Sequence, residues 1–280
     1  MISQDSLLVV VIVFYNPTDS MISRADLLSH YFRVIVSDNS VESIKNKFDF
    51  DYIHNHTNLG IGEAQNIAIN QAISYNPEYI LFLDQDSTFS HEEIKELIKV
   101  FNQISRKDSN IAALGPYPFN IHDNELYKTT IGEIQAHYGQ VEALISSGCL
   151  IKKSALMEVG LLDKNLFIDY VDFDWCWRAL SKGYTLYMTK DVVLKHQVGK
   201  GTLSFCGMSF ILSAPFRYYY QYRNYLLLVT QKYVPIKWKL STAGHLFVQF
   251  FLFFFHKSYR GNRKEILSNT LRGLKDGIKG

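Results

Sequence analysis

The chain has 280 residues, of which 47% are hydrophobic and 20% are charged, so it can bury a sizeable core and is not expected to be disordered. The formal net charge of +2 does not indicate nucleic-acid binding, because such binders concentrate basic residues on one face. The three cysteines, Cys149, Cys176 and Cys206, lack metal-site spacing and are odd in number, which argues against a disulfide framework and favours a reducing, cytoplasmic location.

Two apolar runs need to be weighed as targeting or membrane segments. Residues 7–14 have no basic region before them and no small-residue cleavage site after them, so they predict a core strand rather than a signal peptide. Residues 246–255 are interrupted by Gln249 and fall short of the roughly 20 residues that cross a bilayer. The sequence therefore predicts no transmembrane segment.

The first half of the chain alternates between strand-like and helix-like segments. Short apolar or β-branched runs, each followed by polar turn residues, predict buried parallel strands at residues 7–14, 34–36, 52–54 and 79–83. Apolar residues at helical spacing predict a helix over residues 62–74, and another is predicted over 91–104 with Ser90 as its N-cap. This alternation is typical of βαβ units around a parallel sheet.

Beyond about residue 115 the pattern loosens, although residues 141–145 and 191–194 are strand-like. The last third contains aromatic runs at 216–222 and 247–255 and ends in a basic tail. We therefore expect an α/β domain over residues 1–205 and a C-terminal helical, aromatic-rich extension over residues 206–280.

Asp84 and Asp86 follow the strand-like residues 79–83 with one residue between them. Alternate side chains of an extended segment point the same way, so both carboxylates can face one ion. Mg²⁺ and Mn²⁺ prefer such oxygen ligands and often add substrate phosphates to them, where the ion neutralises a departing diphosphate. The alternative is an aspartate-rich turn after a core strand.

Asp169, Asp172 and Asp174 lie among aromatic and apolar residues in the sequence FIDYVDFDW. Carboxylates are costly to bury without a partner, so a site that needs a base is one explanation. The other explanation is a capping cluster at a helix N-terminus, with Arg178 as an ion-pair partner.

Other polar residues fall where the predicted strands end. His196 comes just after residues 191–194 and can complete a metal site as a neutral imidazole, although a lone histidine is more often a surface or hydrogen-bonded residue. Asp38 follows a predicted strand, where open α/β sheets bind ligands, and can accept a hydrogen bond from a base or ribose. Asn58 and Gly60 precede a predicted helix whose free amide groups can hold a phosphate or fix a tight turn.

Taken in order, the segments YNP, DNS, NLGIGEAQN, LDQDS, SGC, FIDYVDFDW and HQVG resemble glycosyltransferase family 2, and together they cover roughly residues 7 to 200. The segments LDQDS, FIDYVD and PFRYYYQYRN are similar to the bacterial rhamnosyltransferase branch, which uses dTDP-L-rhamnose. The resemblance implies a GT-A fold, which is a Rossmann-like, mostly parallel central sheet flanked by helices. It also implies a nucleotide-sugar-binding part at about residues 1–115 and an acceptor-side part at about 116–205.

The resemblance further implies an inverting glycosyltransferase that moves a sugar, L-rhamnose, to a hydroxyl of a lipid-linked saccharide in bacterial cell-surface polysaccharide synthesis, such as O-antigen or cell-wall synthesis. Asp172 would be the general base, and Asp84, Asp86 and His196 would hold Mg²⁺ or Mn²⁺. Donor contacts would come from Tyr15, Asn16, Asp38, Asn58, Gly60, Gln65, Asn66, Asp84, Gln85 and Asp86. Acceptor contacts would come from Ser147, Gly148, Cys149, Asp174 and Trp175, and further diphosphate contacts from Arg217, Tyr220 and Arg223.

Several of these roles have alternatives. Relatives often carry Glu at the position of Asp174, so this residue either reaches the acceptor or supports the helix start. They also frequently carry Arg where this chain has Gln65. The segment SGC can be an ordinary turn, and Arg217 and Arg223 can be solvated arginines on a helix packed by its aromatic residues.

The C-terminal phenylalanines followed by basic residues resemble an interfacial membrane anchor. Such an anchor would suit a polyprenyl-diphosphate-linked acceptor and a peripheral position at the inner face of the plasma membrane. The alternative is a helix packed against the catalytic domain or against a second subunit in a homo-oligomer.

Other functions are less consistent with the sequence. A family 2 enzyme that uses another donor, such as a UDP-hexose, is the nearest alternative, because pocket shape decides the sugar. A sugar nucleotidyltransferase would need a glycine-rich basic loop after its first strand, and an NAD-dependent oxidoreductase would need GxGxxG, but the first strand is followed by YNP. A non-catalytic saccharide-binding or scaffold protein on the same fold is disfavoured by the intact aspartates and His196.

Overall fold

The computed structural model describes residues 7–44, 48–120, 125–126, 137–196, 201–205 and 207–280, without the side chains of residues 119–120, 125–126 and 195–196. The chain divides into two compact units. The first comprises Met1–Phe167 and Val171–His196, and the second comprises Ile168–Tyr170 and Gln197–Gly280.

Within its described residues, the first unit is built around a nine-stranded sheet. Its strands are β1 (Leu8–Phe14), β2 (Arg33–Asp38), β3 (Asp51–His54), β4 (Tyr79–Asp84), β5 (Ile111–Asn120), β6 (Glu125–Leu126), β7 (Tyr138–Gln140), β8 (Leu150–Lys152) and β9 (Thr185–His196). The helices are α1 (Asp19–Ser29), α2 (Ile61–Ser74), α3 (His91–Ser105), α4 (Lys153–Val159), α5 (Val171–Ser181) and a short 3₁₀ helix, Lys164–Leu166.

The strands are arranged in the order β3-β2-β1-β4-β8-β5-β9-β7, and β6 pairs with β5. Strands β3, β2, β1 and β4 are mutually parallel, as are β5 and β9, whereas β8 is antiparallel to both of its neighbours. Strand β1 is buried along almost its whole length, as an apolar central strand covered on both faces must be. The predicted mostly parallel sheet flanked by helices is confirmed.

The four predicted strands correspond to β1–β4, and the two predicted helices correspond to α2 and α3. Ser90 forms the expected N-cap by accepting a hydrogen bond from the Glu93 amide, and the Glu93 carboxylate accepts one from Ser90 in return. The prediction of a strand at residues 141–145 is wrong. Apolar residues there, such as Leu144, are buried, which explains the strand-like pattern. The segment nevertheless forms an irregular connection between β7 and β8.

The parallel strands bring distant residues to one edge of the sheet. Phe14 at the end of β1 lies beside Asp38 at the end of β2, and Val13 lies beside Asp84 at the end of β4. Since the carboxyl ends of parallel strands share an edge, Asp38 and Asp84 flank β1 from its two sides. The loops that follow β1, β2 and β4 therefore leave the sheet together.

The second unit consists of a hairpin and a group of helices. Its elements are β10 (Thr202–Phe205), β11 (Met208–Ile211), α6 (Arg217–Val229), α7 (Ile236–Phe255), a 3₁₀ helix (Lys257–Asn262) and α8 (Arg263–Lys279). Leu203 and Phe210 of the hairpin join a core made mainly by the helices, to which Tyr218, Leu252 and Phe253 contribute. The first unit ends at His196, and the predicted domain boundary at residue 205 coincides with the last residue of β10.

Helices α6 and α8 pack closely because α8 carries glycines at the contact. A β-carbon on Gly273 would overlap the carbonyl oxygen of Tyr219, and one on Gly277 would lie 2.9 Å from the carbonyl oxygen of Arg223. In the described part of the chain, no helix combines the length and the hydropathy that a bilayer crossing requires.

Gly273→Ala is expected to lower the free energy of unfolding by about 1–3 kcal/mol, because the obstructing atom belongs to the Tyr219 backbone and cannot rotate away. Gly244→Ala is the matched control in α7. Its added methyl group meets nothing within 4 Å, so we expect a gain of about 0.5–1 kcal/mol from the higher helix propensity of alanine. Urea unfolding of both variants measures the difference, and equal stability of the two would contradict the close α6–α8 contact.

Candidate functional site

The Asp38 carboxylate is fully buried and is used to shape the loop after β2. Its Oδ1 accepts hydrogen bonds from the backbone amide and the hydroxyl of Ser40 at 2.8 and 2.6 Å, and its Oδ2 accepts one from the Tyr52 hydroxyl at 2.6 Å. Burial, together with the bond to Asp38, raises the pKa of Tyr52 to about 12. Asp38, predicted as a donor contact, therefore positions Ser40 and presents no exposed oxygen.

Asparagine side chains join the ends of β2 and β3 to the start of α2. Asn39 donates to the Gly60 carbonyl at 3.1 Å and to Asn58 at 3.3 Å, while Asn55 donates to Asn39 at 3.0 Å. Gly60 has a φ of +83°, and a β-carbon there would lie 2.6 Å from Phe167, so only glycine fits. The predicted donor contacts Asn58 and Gly60 thus lie in one hydrogen-bonded network.

The amide groups at the start of α2 are only partly available for a phosphate. The first amide, that of Ile61, donates to the Phe167 carbonyl at 2.7 Å. Asn66 exchanges two hydrogen bonds with the backbone of Leu162, at 2.9 and 3.0 Å. Asn66, another predicted donor contact, is therefore occupied in holding α2 against the chain before α5.

The loop after β1 is held to the loop after β4. The Tyr15 amide donates to the Gln85 side-chain carbonyl at 2.8 Å, and the Gln85 side-chain amide donates back to the Tyr15 carbonyl at 3.3 Å. The Asn16 amide donates to the Ser40 hydroxyl at 2.7 Å. Tyr15 is 49% exposed, so this aromatic residue is accessible to solvent beside these loops.

Asp84 ends β4, and the turn that follows it is fastened by Ser147. The Ser147 hydroxyl accepts a hydrogen bond from the Asp84 amide at 3.2 Å and lies 2.5 Å from the Ser87 hydroxyl. Both serines are buried, whereas Asp86, on the tip of the turn, is exposed. Ser147, predicted as an acceptor contact, is thus an internal support of the aspartate turn.

Asp172 lies in the first turn of α5, and its carboxylate points to residue 146. Its Oδ2 accepts a hydrogen bond from the Ser146 amide at 3.1 Å, and its Oδ1 accepts one from the Phe173 amide at 2.9 Å. Burial raises its pKa from 3.8 to about 6; the amide hydrogen bonds oppose this shift, and the negative charge of Asp84 adds to it. Asp84 and Asp172 therefore lie close enough to interact electrostatically.

Gln65 reaches the same segment from α2. Its side-chain amide donates to the Ser146 hydroxyl at 2.7 Å, so it supports the residue that binds the Asp172 carboxylate. Ser146 belongs to none of the motifs quoted from the sequence. The only signal was its position one residue before the SGC segment, because its partners Gln65 and Asp172 are 81 and 26 residues away.

The other predicted acceptor contacts are mostly internal. The Asp174 carboxylate is 1% exposed and pairs with Arg178 at 2.8 Å, and the Trp175 indole, also buried, donates to the Gly160 carbonyl at 3.0 Å. The geometry therefore favours a supporting role for Asp174 at the helix start. The Cys149 thiol is buried, which raises its pKa well above its ordinary value.

Gly148 has a φ of +79°, and a β-carbon there would lie 2.6 Å from Pro116 and 2.8 Å from Phe89. Its amide donates to the Phe82 carbonyl at 2.8 Å. The glycine is needed for close packing inside the first unit, which is the turn alternative of the sequence analysis.

The predicted diphosphate contacts all lie in the second unit, where they have internal partners. Arg217 forms an ion pair with Asp169. Arg223 lies over the rings of Tyr219 and Tyr220, with its guanidinium carbon 5.4 and 5.0 Å from the ring centres, and it donates to Asn224 at 2.7 Å. These contacts are those expected if the helix is packed through its aromatic residues, which was the alternative to a diphosphate site.

In the parts of the chain that the structure describes, no three His, Cys, Asp or Glu side chains come close enough together to hold a metal ion. The backbone of His196 ends β9, but its side chain lies outside the described residues. The predicted set of Asp84, Asp86 and His196 is therefore represented by its two aspartates alone.

Comparison with known proteins adds two sequence relatives. The family profile described as Glycosyl transferase family 2 matches residues 10–165. The dTDP-rhamnosyl transferase RfbF of Shigella flexneri is 30% identical over 289 residues, which cover 96% of this chain and 95% of that protein. The low-salt glycan biosynthesis hexosyltransferase Agl10 of Haloferax volcanii is 25% identical and covers 61% of this chain and 60% of its own length.

Solved structures resemble the chain in fold. TarS of S. aureus matches with a TM-score of 0.56 and 15% identity, over 98% of this chain and 49% of the TarS chain. A structure of TarS 1-349 with UDP matches with a TM-score of 0.54 and 15% identity, over 98% of this chain and 80% of that chain. GalNAc-T7 with UDP, GalNAc and Mn²⁺ matches with a TM-score of 0.53 and 15% identity, over 85% of this chain and 54% of that chain.

The family profile covers more than half of the chain, and it spans the three strands whose ends carry Asp38, Asp84 and the loop after β1. The RfbF relative extends the match over almost the whole sequence. The family resemblance read from the motifs is therefore confirmed, and the chain belongs to glycosyl transferase family 2 and is a glycosyltransferase.

Proposed function

We propose that the protein is an inverting rhamnosyltransferase that moves L-rhamnose from dTDP-L-rhamnose to a hydroxyl of a saccharide acceptor in bacterial cell-surface polysaccharide synthesis. The observation that carries the reaction type is the placement of two acids, Asp84 and Asp172, which are bound by the adjacent residues Ser147 and Ser146. The donor assignment is supported by the 30% identity to a dTDP-rhamnosyl transferase over nearly the full length of both chains.

Asp172 has the properties that a general base requires. Its pKa of about 6 leaves it mostly ionised at neutral pH, yet basic enough to take a proton from an attacking hydroxyl. Two amide hydrogen bonds orient the carboxylate before substrate binds. The acceptor oxygen would then attack the anomeric carbon from the face opposite the diphosphate, and this single displacement inverts the configuration.

Asp84 and Asp86 would hold the divalent cation, Mg²⁺ or Mn²⁺, with His196 as the third ligand that the resemblance implies. Two carboxylates at the ends of a strand and its turn, one of them exposed, are a chemically suitable donor set for a hard cation that also takes phosphate oxygens. Such an ion supplies Lewis-acid neutralisation of the leaving diphosphate. Tyr15, exposed beside the same loops, would contribute to donor binding.

The alternative donor is a UDP-hexose. The hexosyltransferase relative and the structure of TarS with UDP favour this candidate. Because both donors carry a diphosphate between a nucleoside and a sugar, the residues described above would serve either one, and contacts to the nucleobase, to the 2′ position of the ribose and to the sugar discriminate between them.

A donor screen tests the proposed function. Purified enzyme with Mn²⁺ or Mg²⁺ is expected to release dTDP from dTDP-L-rhamnose faster than it releases UDP from UDP-glucose or UDP-galactose, and to lose activity in EDTA. Product release is measured by a nucleoside-diphosphate assay. Faster turnover of a UDP-hexose would contradict the rhamnose assignment, and full activity in EDTA would contradict the metal.

Asp172→Asn is expected to lower kcat for transfer by at least about 100-fold, because general-base catalysis typically accelerates a reaction by about 10²- to 10⁴-fold. The dissociation constant for dTDP should stay within about twofold, as measured by calorimetry, because the substitution leaves the aspartate turn intact. Asp49→Asn is the control at an exposed position, and its kcat should not change. Full transfer activity in Asp172→Asn would exclude it as the base.

The same assignment predicts the pH dependence of the wild-type enzyme. Since the raised pKa means that Asp172 keeps its proton up to about pH 6, and only the deprotonated form accepts a proton, kcat should fall about tenfold per pH unit below that value and level off above it. A bound cation favours the ionised form of Asp172 and would therefore shift the fall in kcat to lower pH. A kcat profile that is flat between pH 4.5 and 8 would contradict the assignment.

We also propose that the protein works as a peripheral protein at the inner face of the plasma membrane, through one face of α7. The solvent-exposed apolar side chains of α7 are Ile236, Leu240, Phe247, Phe251, Phe254 and Phe255. Exposed cations lie at Lys237, Lys257 and Arg260, near both ends of the helix. Aromatic side chains with flanking basic residues favour an anionic lipid surface over a neutral one.

Phe247→Glu combined with Phe251→Glu is expected to abolish co-sedimentation with vesicles that contain phosphatidylglycerol, because it places two anions on the apolar face. The control is Leu27→Glu combined with Met157→Glu, which makes the same charge change at exposed helix positions of the first unit. Vesicle binding by wild type and control, but not by the α7 variant, is the expected result. A wild-type protein that does not bind vesicles but forms a dimer that the α7 variant loses would instead identify a second copy as the partner.

A further inference from the structure

Arg24 lies on α1 and reaches the turn that carries the two aspartates. Its Nη2 donates to the carbonyl oxygen of Gln85 at 3.3 Å, and Gln85 stands between Asp84 and Asp86 in the sequence. The side chain is half-buried, and its Nε is enclosed without a hydrogen-bond partner within the described residues. No motif of the sequence analysis includes this residue.

In the described part of the chain, no carboxylate lies within ion-pair distance of the Arg24 guanidinium, whose hydrogen bond goes to the Gln85 carbonyl. Arg33, Arg178 and Arg217 each lie within ion-pair distance of a carboxylate, but Arg24 has only the backbone oxygen of Gln85. An arginine stays charged at all relevant pH values, and burying part of an unpaired charge is unfavourable. A cation held in this way at a ligand-binding edge is best explained by an anion that binds there.

The chemistry of the edge points to a phosphate as that anion. A guanidinium presents several N–H groups in a plane and binds phosphate oxygens through two of them at once. The aspartate turn itself carries negative charge, which would repel a diphosphate unless cations are nearby. Arg24 contacts this turn through Gln85 and therefore places a fixed positive charge beside it.

We infer that Arg24 is a donor-binding residue whose guanidinium contacts the diphosphate of the nucleotide sugar, an inference that rests on the proposed function. It binds the phosphate directly and, through the Gln85 carbonyl, keeps the aspartate turn in register with α1. The residue thus makes a contribution that is separate from the cation at Asp84 and Asp86.

The test compares ligands with and without phosphate. Dissociation constants for dTDP and thymidine, and for UDP and uridine, are measured by calorimetry with Mn²⁺ and again with EDTA. Arg24→Ala is expected to weaken binding of the preferred diphosphate by about 10- to 100-fold in both buffers, as for a lost charge-assisted hydrogen bond. Its affinity for the nucleoside should stay within about twofold, and Arg24→Lys should recover part of the lost affinity.

Arg33→Ala is the matched control, because it removes the same charge from a residue that is paired with Asp51 and lies over the Tyr75 ring. It should leave both affinities unchanged. Equal losses for nucleoside and diphosphate in Arg24→Ala, or no loss of either, would show that Arg24 only supports the turn and would overturn the inference. Circular dichroism melting, with Arg24→Gln as a second variant, separates these outcomes from misfolding.

The result is also distinguishable from failure of the proposed function. A wild type that binds UDP more tightly than dTDP contradicts the rhamnose donor, but the phosphate dependence can still be measured with UDP and uridine. A wild type that binds neither diphosphate contradicts the proposed function and the role of Arg24 together.

Discussion

The carboxyl edge of the sheet depends on the adjacent residues Ser146 and Ser147, which hold the carboxylate of Asp172 and the backbone of Asp84. The Ser147 hydroxyl accepts a hydrogen bond from the Asp84 amide, and the Ser146 amide donates one to the Asp172 carboxylate. Each such bond adds only about 1 kcal/mol net, but leaving a buried donor or acceptor unpaired costs about 1–3 kcal/mol. The repulsion that remains contributes to the raised pKa of Asp172, so the arrangement that holds the two acids near each other also raises the pKa of one of them.

The sequence was sufficient to predict the frame of this site. Strands β1 and β4 are long apolar runs, β2 has the short apolar centre VIV and β3 the pair YI, and such runs are typical of buried parallel strands. The two reciprocal hydrogen bonds between Ser90 and Glu93 define the start of α3, and both residues are close in sequence. Once the strands are assigned, their parallel order places Asp38 and Asp84 at a common edge without any further information.

The partners of each polar side chain could not be predicted from the sequence, because they are set by contacts between distant segments. Asp38 and Asp84 both end strands beside β1, yet Asp38 is sealed by Ser40 and Tyr52, whereas the turn after Asp84 stays open at Asp86. Gln65 reaches Ser146 across 81 residues of sequence. Asp174 is the exception, because Arg178 lies four residues further along the same helix and i, i+4 spacing brings the two together.

In the aromatic C-terminal region, the sequence could not predict which residues are buried. Residues 247–255 are nearly all apolar, so their periodicity cannot tell which face of a helix is buried. The structure divides them: Leu252 and Phe253 enter the core of the second unit, while Phe247 and Phe251 point to solvent. Buried Gln249 lies on the core side of the same helix, so the one polar residue in the run does not mark the exposed face. Composition alone therefore suggests a single hydrophobic feature, whereas the helix has one face that packs in the core of the second unit and another that is exposed to solvent.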